Sequence, residues 1–149
     1  SVIQYQPMES QKKKILLIDD NEIVRLMFSN VFWLHGLDDD YELATITRIE
    51  EAEVILSNPA TRPDIVFTGL VMPFTKNGKT ETSAEAGFTL LKRIKDDPAT
   101  KTIRVIIFSS FDEAWYRDQV MALGAEMYLK KGESMPQDII DLLRSLNTN

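Results

Sequence analysis

The chain has 149 residues, which suits one domain built around one core. Its 17 basic and 23 acidic side chains leave a net charge of -6 and a pI near 4.8, a balance that argues against nucleic acid or an anionic membrane as the main partner. Cysteine is absent, which excludes disulfides, thiol catalysis and cysteine-ligated zinc.

Residues 1–12 are polar apart from a few scattered side chains, and are expected to form an N-terminal arm before a domain spanning 13–147. Ile15 to Ile18 is a short apolar run, as expected of a strand buried on both faces. It ends in paired carboxylates, Asp19 and Asp20. From Asn21 to His35, apolar residues at 23, 27, 31 and 34 predict a helix, with Gly36 as its stop. Tyr41 to Thr47 reads as a strand with Leu43 and Ile46 inside. Thr47 and Glu50 have capping-box spacing and open a helix to about Ser57.

Asn58-Pro59 and Arg62-Pro63 punctuate the approach to a third strand, Asp64-Ile-Val-Phe-Thr-Gly69. Phe88, Leu91 and Ile94 mark a helix that ends before Pro98. Ile103 to Phe108 is a fourth strand, closed by Ser109 and Ser110. A second capping box, Ser110 and Glu113, opens a helix to about Leu123, stopped by Gly124. Met127 to Leu129 is a short strand followed by Lys131 and Gly132. Ser134 and Gln137 give a third capping box, and Ile139, Leu143 and Leu146 a final apolar stripe.

Five strands alternating with five helices predict an α/β fold, a single doubly wound (βα)5 domain. The flavodoxin-like parallel sheet order 2-1-3-4-5 is expected, with ligands beyond the carboxyl ends of the strands. Asp19, Asp20, Gly69, Ser109 and Lys131 all fall at those ends, so one pocket should gather them. Paired carboxylates suit a hard divalent cation, while a lysine and a hydroxyl suit phosphate oxygens.

These strand ends together resemble the receiver domain of two-component response regulators (CheY-like), over residues 13 to 147. The resemblance implies a phosphorelay signalling module in the cytoplasm, without enzymatic activity of its own. Its partners would be a sensor histidine kinase or another signalling protein. It implies that Asp19, Asp20 and the backbone carbonyl of Val71 hold magnesium. Ser109 would contact the phosphoryl group, Lys131 would pair with it, and Tyr128 would change rotamer with activation. Met72-Pro73 matches the pair after the acceptor loop, and Gly87 the glycine that opens the third helix. The face made by the fourth helix, fifth strand and fifth helix is the usual partner or dimer surface; Trp115 and Tyr116 begin that fourth helix.

Three positions depart from the family. Gly69 stands where the phosphoacceptor aspartate is expected, and Gly132 where a proline commonly follows the lysine. The segment 74–86 is longer than usual. It is polar, with a turn at Asn77-Gly78. It leaves strand three beside the pocket, where it could cover the pocket or present a partner surface. A mobile surface loop is the first expectation, with Phe74 as its one candidate anchor.

Gly69 decides the expected chemistry. An acyl phosphate needs a carboxylate nucleophile, and glycine supplies none. Thr68 is no substitute, because alternation along the strand sends its side chain elsewhere. Two carboxylates remain instead of three, so magnesium binding should be weak. The freed Lys131 can pair with Asp19 or Asp20. The first expectation is therefore a receiver that works by protein–protein contact. A second is an ordinary phospho-accepting receiver whose acceptor was altered to Gly69 in this chain. A remote third is a small phosphohydrolase using Asp19 or Asp20, although the Asp-x-Asp spacing of haloacid-dehalogenase-type phosphatases is absent. A flavin site is disfavoured by the acidic loop after strand one.

His35, the single histidine, sits at a helix end, where a capping role outweighs catalysis. Trp33 and Trp115 are read as packing residues. The longest uncharged run, Leu26 to Leu37, falls short of the roughly 20 residues that cross a bilayer. No basic region followed by an apolar one opens the chain, so no leader is expected. Ser1 is not a start residue, so a processed or excised chain is expected.

Overall fold

The computed structural model describes residues 11–111, 113–134 and 136–147. The expected arm at 1–12 therefore lies almost wholly outside the described residues. The elements in chain order are β1 (Lys13–Ile18), α1 (Glu22–Leu34), β2 (Tyr41–Ile46), α2 (Ala52–Ser57), β3 (Ile65–Thr68), β4 (Met72–Lys76), β5 (Lys79–Ser83), α3 (Glu85–Asp96), β6 (Arg104–Ser109), α4 (Ala114–Ala122), β7 (Met127–Lys130) and α5 (Pro136–Asn147). Five parallel strands form one sheet in the order β2-β1-β3-β6-β7. With the β4–β5 pair set aside, this is the predicted 2-1-3-4-5 order.

The apolar runs are buried on both sides because their two faces serve two cores. Leu16, Ile18, Val66, Val105 and Ile107 pack with α2, α3 and α4 through Leu56, Leu91, Ile94 and Val120. Ile15, Leu17, Phe67, Ile106 and Phe108 pack with α1 and α5 through Phe28, Phe32, Ile139 and Leu143. Phe28 meets the rings of Phe67 and Phe108 edge-on, at 5.1 and 5.7 Å, a geometry that suits the ring quadrupoles.

The buried face of α1 is only partly the predicted one: Val31 is buried and Met27 packs against the core as expected. Phe28, Val31 and Phe32 face the core, whereas Ile23 is 75% exposed and Leu34 68%. The sheet selects the wider aromatic face, and spacing alone cannot choose between two apolar stripes on one helix. Trp33 is likewise exposed, not packed. His35 is the C-terminal cap of α1, and its backbone N–H donates to Val31 O at 3.1 Å.

The predicted capping boxes do not form. Thr47 Oγ1 donates to Glu51 Oε1 at 2.9 Å, and Ile49–Glu51 is a 3-10 turn that precedes α2. Glu113 is the N-cap of α4, and no side chain caps that helix. Gln137 donates to Asp141 Oδ1 at 2.8 Å, one turn along α5, instead of reaching back to Ser134.

The segment expected as a loop is a β-hairpin. β4 and β5 pair antiparallel, Lys76 opposite Lys79. Asn77 (φ 54) and Gly78 (φ 78) make the two-residue turn, and two positive φ values match the right-handed twist of the strands. The segment escaped recognition because its strands alternate threonine with charge rather than apolar with polar. The hairpin is fixed to the β2–α2 connection. Thr75 N–H donates to Glu50 Oε1 at 2.8 Å and Arg48 Nη2 to Thr75 Oγ1 at 2.9 Å, and Phe74 packs on the core.

Burial pushes the Glu50 carboxyl up, but the Thr75 N–H and Arg48 outweigh it and hold Glu50 below the ordinary glutamate range. A carboxyl with a lowered folded-state pKa stabilises above its unfolded value and loses that contribution as pH falls through the folded one. Protection factors of the hairpin amides should therefore drop on acidification below that range. In Glu50→Gln they should be lower from the start and change less, as hydrogen exchange by NMR would read.

Gly87 opens α3 against the backbone. A Cβ there would lie 2.7 Å from Leu70 Cα and 2.9 Å from Leu70 O, and Gly87 N–H donates to Leu70 O at 3.0 Å. Backbone atoms cannot rotate away, so Gly87→Ala is expected to cost about 2–4 kcal/mol, read from chemical denaturation.

Candidate functional site

Each candidate side chain is held at a strand end by the parallel register. Ile18 pairs with Thr68 and Thr68 with Ile107. One residue further on, Gly69 N–H donates to Ile18 O at 3.1 Å and Lys131 N–H to Ser109 O at 2.8 Å. The register thus draws Asp19, Gly69, Ser109 and Lys131 to one edge of the sheet. Asp20, next along the chain, is exposed there.

Asp19 is the centre of the cluster and is 1% exposed. Its Oδ1 accepts the Asn21 N–H at 2.9 Å, and its backbone carbonyl accepts Arg25 Nη1 at 2.8 Å. Its Oδ2 lies 2.6 Å from Lys131 Nζ. That contact is an ion pair. A buried carboxylate needs such a counter-charge. Lys131 Nζ also lies 5.7 Å from the Phe108 ring centroid.

Ser109 is buried, and its hydroxyl oxygen accepts the Phe111 N–H at 3.2 Å. Tyr128 is nearly buried. Its hydroxyl donates to the Phe111 carbonyl, and the Arg117 guanidinium lies 5.5 Å from its ring centroid. The Ser109–Phe111 turn is therefore held from both sides. Thr68 is buried and donates to its neighbour's carbonyl, Gly69 O, at 3.0 Å.

Gly69 has no side chain, and Met72 fills the space. A Cβ at 69 would lie 2.9 Å from Met72 Sδ and 3.0 Å from its Cγ, and Met72 is fully buried. Gly69 is not among the positive-φ glycines, unlike Gly36, Gly78, Gly124 and Gly132. Its backbone therefore does not demand glycine. The sequence reading identified Met72 by motif but missed its position against Gly69, and missed Arg25 as a clamp on the Asp19 loop. A buried methionine beside a glycine carries no sequence signal of contact.

As arranged, these residues do not fit a resident divalent cation. Lys131 stands on one oxygen of Asp19, the Asn21 N–H takes the other, and Asp20 points to solvent as a single exposed carboxylate. Among the described residues no group of three His, Cys, Asp or Glu side chains is placed to hold a metal ion. Hard cations want several oxygens at once.

Trp115 was expected to pack and is instead 60% exposed. It stacks edge-on with Phe88 and Tyr116 at 6.1 and 5.3 Å. Phe111, Met121 and Met127 are also exposed. Among the described residues, no helix is long and apolar enough to cross a membrane.

The response regulator receiver domain matches over residues 15–144. The phosphate regulon transcriptional regulatory protein PhoB of Pseudomonas aeruginosa is 24% identical over 134 residues, 90% of this chain and 51% of that protein. Protein PilG of the same organism is 25% identical over 123 residues, 83% of this chain and 79% of PilG. The chain thus spans about half of the first relative and most of the second. Among solved structures, the signal receiver domain of a DNA-binding response regulator from Colwellia psychrerythraea superposes with a TM-score of 0.74. It is 24% identical and covers 93% of this chain and all of that one (100%).

Proposed function

The chain belongs to the response regulator receiver family of two-component signalling, and from that premise we propose that it signals by protein–protein contact without accepting a phosphoryl group at position 69. Gly69 carries the reading: it stands at the end of β3, where the resemblance implies the acceptor, the Met72 side chain fills the space beside it, and Lys131 is paired with Asp19. Magnesium binding is weak, because one carboxylate is neutralised by lysine and a third is missing. Neither Asp19 nor Asp20 is read as a phosphohydrolase nucleophile, since both oxygens of Asp19 are engaged and Asp20 is exposed. The module is not an enzyme.

The partner surface is the face of α4, β7 and α5. Exposed Trp115 and Met121 on α4 and Met127 on β7 support this, because exposed apolar side chains are common at interaction sites. A sensor kinase, another signalling protein or a second copy would dock there. The net charge of -6 supports neither nucleic acid nor membrane as the ligand, and the reading places the chain in the cytoplasm.

The second reading is an ordinary receiver whose acceptor was changed. One observation favours it: the Gly69 backbone lies outside the left-handed region and would accept aspartate. Incubation with acetyl phosphate and magnesium separates the two, with intact masses recorded beside Gly69→Asp. Both readings expect no uptake by the chain itself, and uptake by it overturns the first reading. Uptake by Gly69→Asp supports the altered acceptor, and failure of Gly69→Asp to take up the group overturns it.

A further inference from the structure

The β4–β5 hairpin has one protected edge and one open edge. In its register Lys76 and Lys79 close the turn, so residues 76, 74 and 72 face 79, 81 and 83 through the ladder hydrogen bonds. The backbone groups of Thr75, Thr80 and Thr82 then point away from the partner strand. On β4 that outer edge is closed: Thr75 N–H is taken by Glu50 at 2.8 Å, and Pro73 has no N–H to offer. On β5 it is open. Among the described residues no partner meets the backbone of Thr80 or Thr82, and residues 79–82 are all exposed.

An open strand edge is a template for another strand, and the side chains say which one. Lys79 and Glu81 lie on one face of β5, two residues apart, and among the described residues neither makes an ion pair. Lys76, by contrast, is paired with Glu85 at 3.1 Å. Antiparallel pairing of β5 with a second β5 about Thr80 sets Lys79 opposite Glu81 of the second copy, and Glu81 opposite its Lys79. Pairing about Glu81 would set two carboxylates face to face, and pairing about Thr82 would leave both charges unmatched. Directly opposed unlike charges stabilise strand pairs and like charges destabilise them.

We infer that β5 is a self-association edge. Two copies of the chain join through it into a four-stranded sheet with a two-fold axis at Thr80 and two Lys79–Glu81 cross-strand pairs. The interface is isologous and closed. It is small, so the dimer is weak and concentration-dependent. It uses neither position 69 nor the α4–β7–α5 face.

Sedimentation over a concentration series tests this, with Lys79→Glu and Glu81→Lys as variants. Each substitution turns both symmetric pairs repulsive and should weaken the dimer by about tenfold or more. Both sites are exposed, and circular dichroism checks that each variant folds. Mixing the two variants in equal amounts should restore dimers as heterodimers, because each charge then meets its opposite across the axis. A wild-type chain that stays monomeric throughout overturns the inference. So does a dimer indifferent to both substitutions, which would lie on the α4 face, or a mixture that fails to recover.

Discussion

Gly69→Asp is expected to turn a chain that takes up no phosphoryl group from acetyl phosphate into one that takes up a single group in the presence of magnesium. Aspartate at the end of β3 would supply the nucleophile that glycine lacks. It would also add a third carboxylate beside Asp19 and Asp20, the kind of oxygen cluster a hard cation needs. The backbone accepts the change, since Gly69 is not in the left-handed region. The side chain does not fit without movement: its Cβ would lie 2.9 Å from Met72 Sδ, so the buried methionine must change rotamer. Overpacking and like-charge repulsion should lower the stability of the metal-free variant by about 1–3 kcal/mol. Magnesium should raise the Tm of Gly69→Asp and leave that of the parent nearly unchanged, because a ligand stabilises only a state that binds it. If neither protein gains mass, the pocket has diverged beyond one residue and the altered-acceptor reading fails.

Lys131→Met is the second substitution with a large expected effect. Methionine keeps the aliphatic stem and removes the charge, leaving the buried Asp19 carboxylate without its counter-ion. Breaking a buried pair from one side is expected to cost roughly 3 kcal/mol, discounted from the upper range because Lys131 is itself 22% exposed. Asp19→Asn in the same background should return part of that loss, since the orphan is then neutral. Urea denaturation of the parent, both single variants and the double variant gives the coupling energy directly. A Lys131→Met cost under about 0.5 kcal/mol would match an ordinary surface pair and would mean that the contact does not hold in solution.

Much of the scaffold was legible from local signals. The apolar runs at Ile15–Ile18, in the Asp64–Gly69 stretch and at Ile103–Phe108 named the strands, and their alternation with helices limited the topology to the order observed. Element ends read from capping spacing fared worse. Thr47 and Gln137 have the right residue types, but their side chains find other partners nearby. Thr47 prefers Glu51 and Gln137 prefers Asp141. The face of α1 was read only in part, at Met27 and Val31, because both of its faces carry large apolar residues.

The sequence by itself determined the fold class, the strand order and the set of residues that converge at the strand ends. These follow from periodicity and from the right-handed parallel crossover, which leave little choice. It also fixed the lack of a carboxylate at position 69. Only the tertiary structure decided which of Asp19 and Asp20 receives Lys131, that Met72 fills the space beside Gly69, and that residues 72–83 form a hairpin tied to Glu50. Those outcomes depend on distances between residues far apart in the chain. They are settled by packing and by competition among partners, which no local pattern encodes.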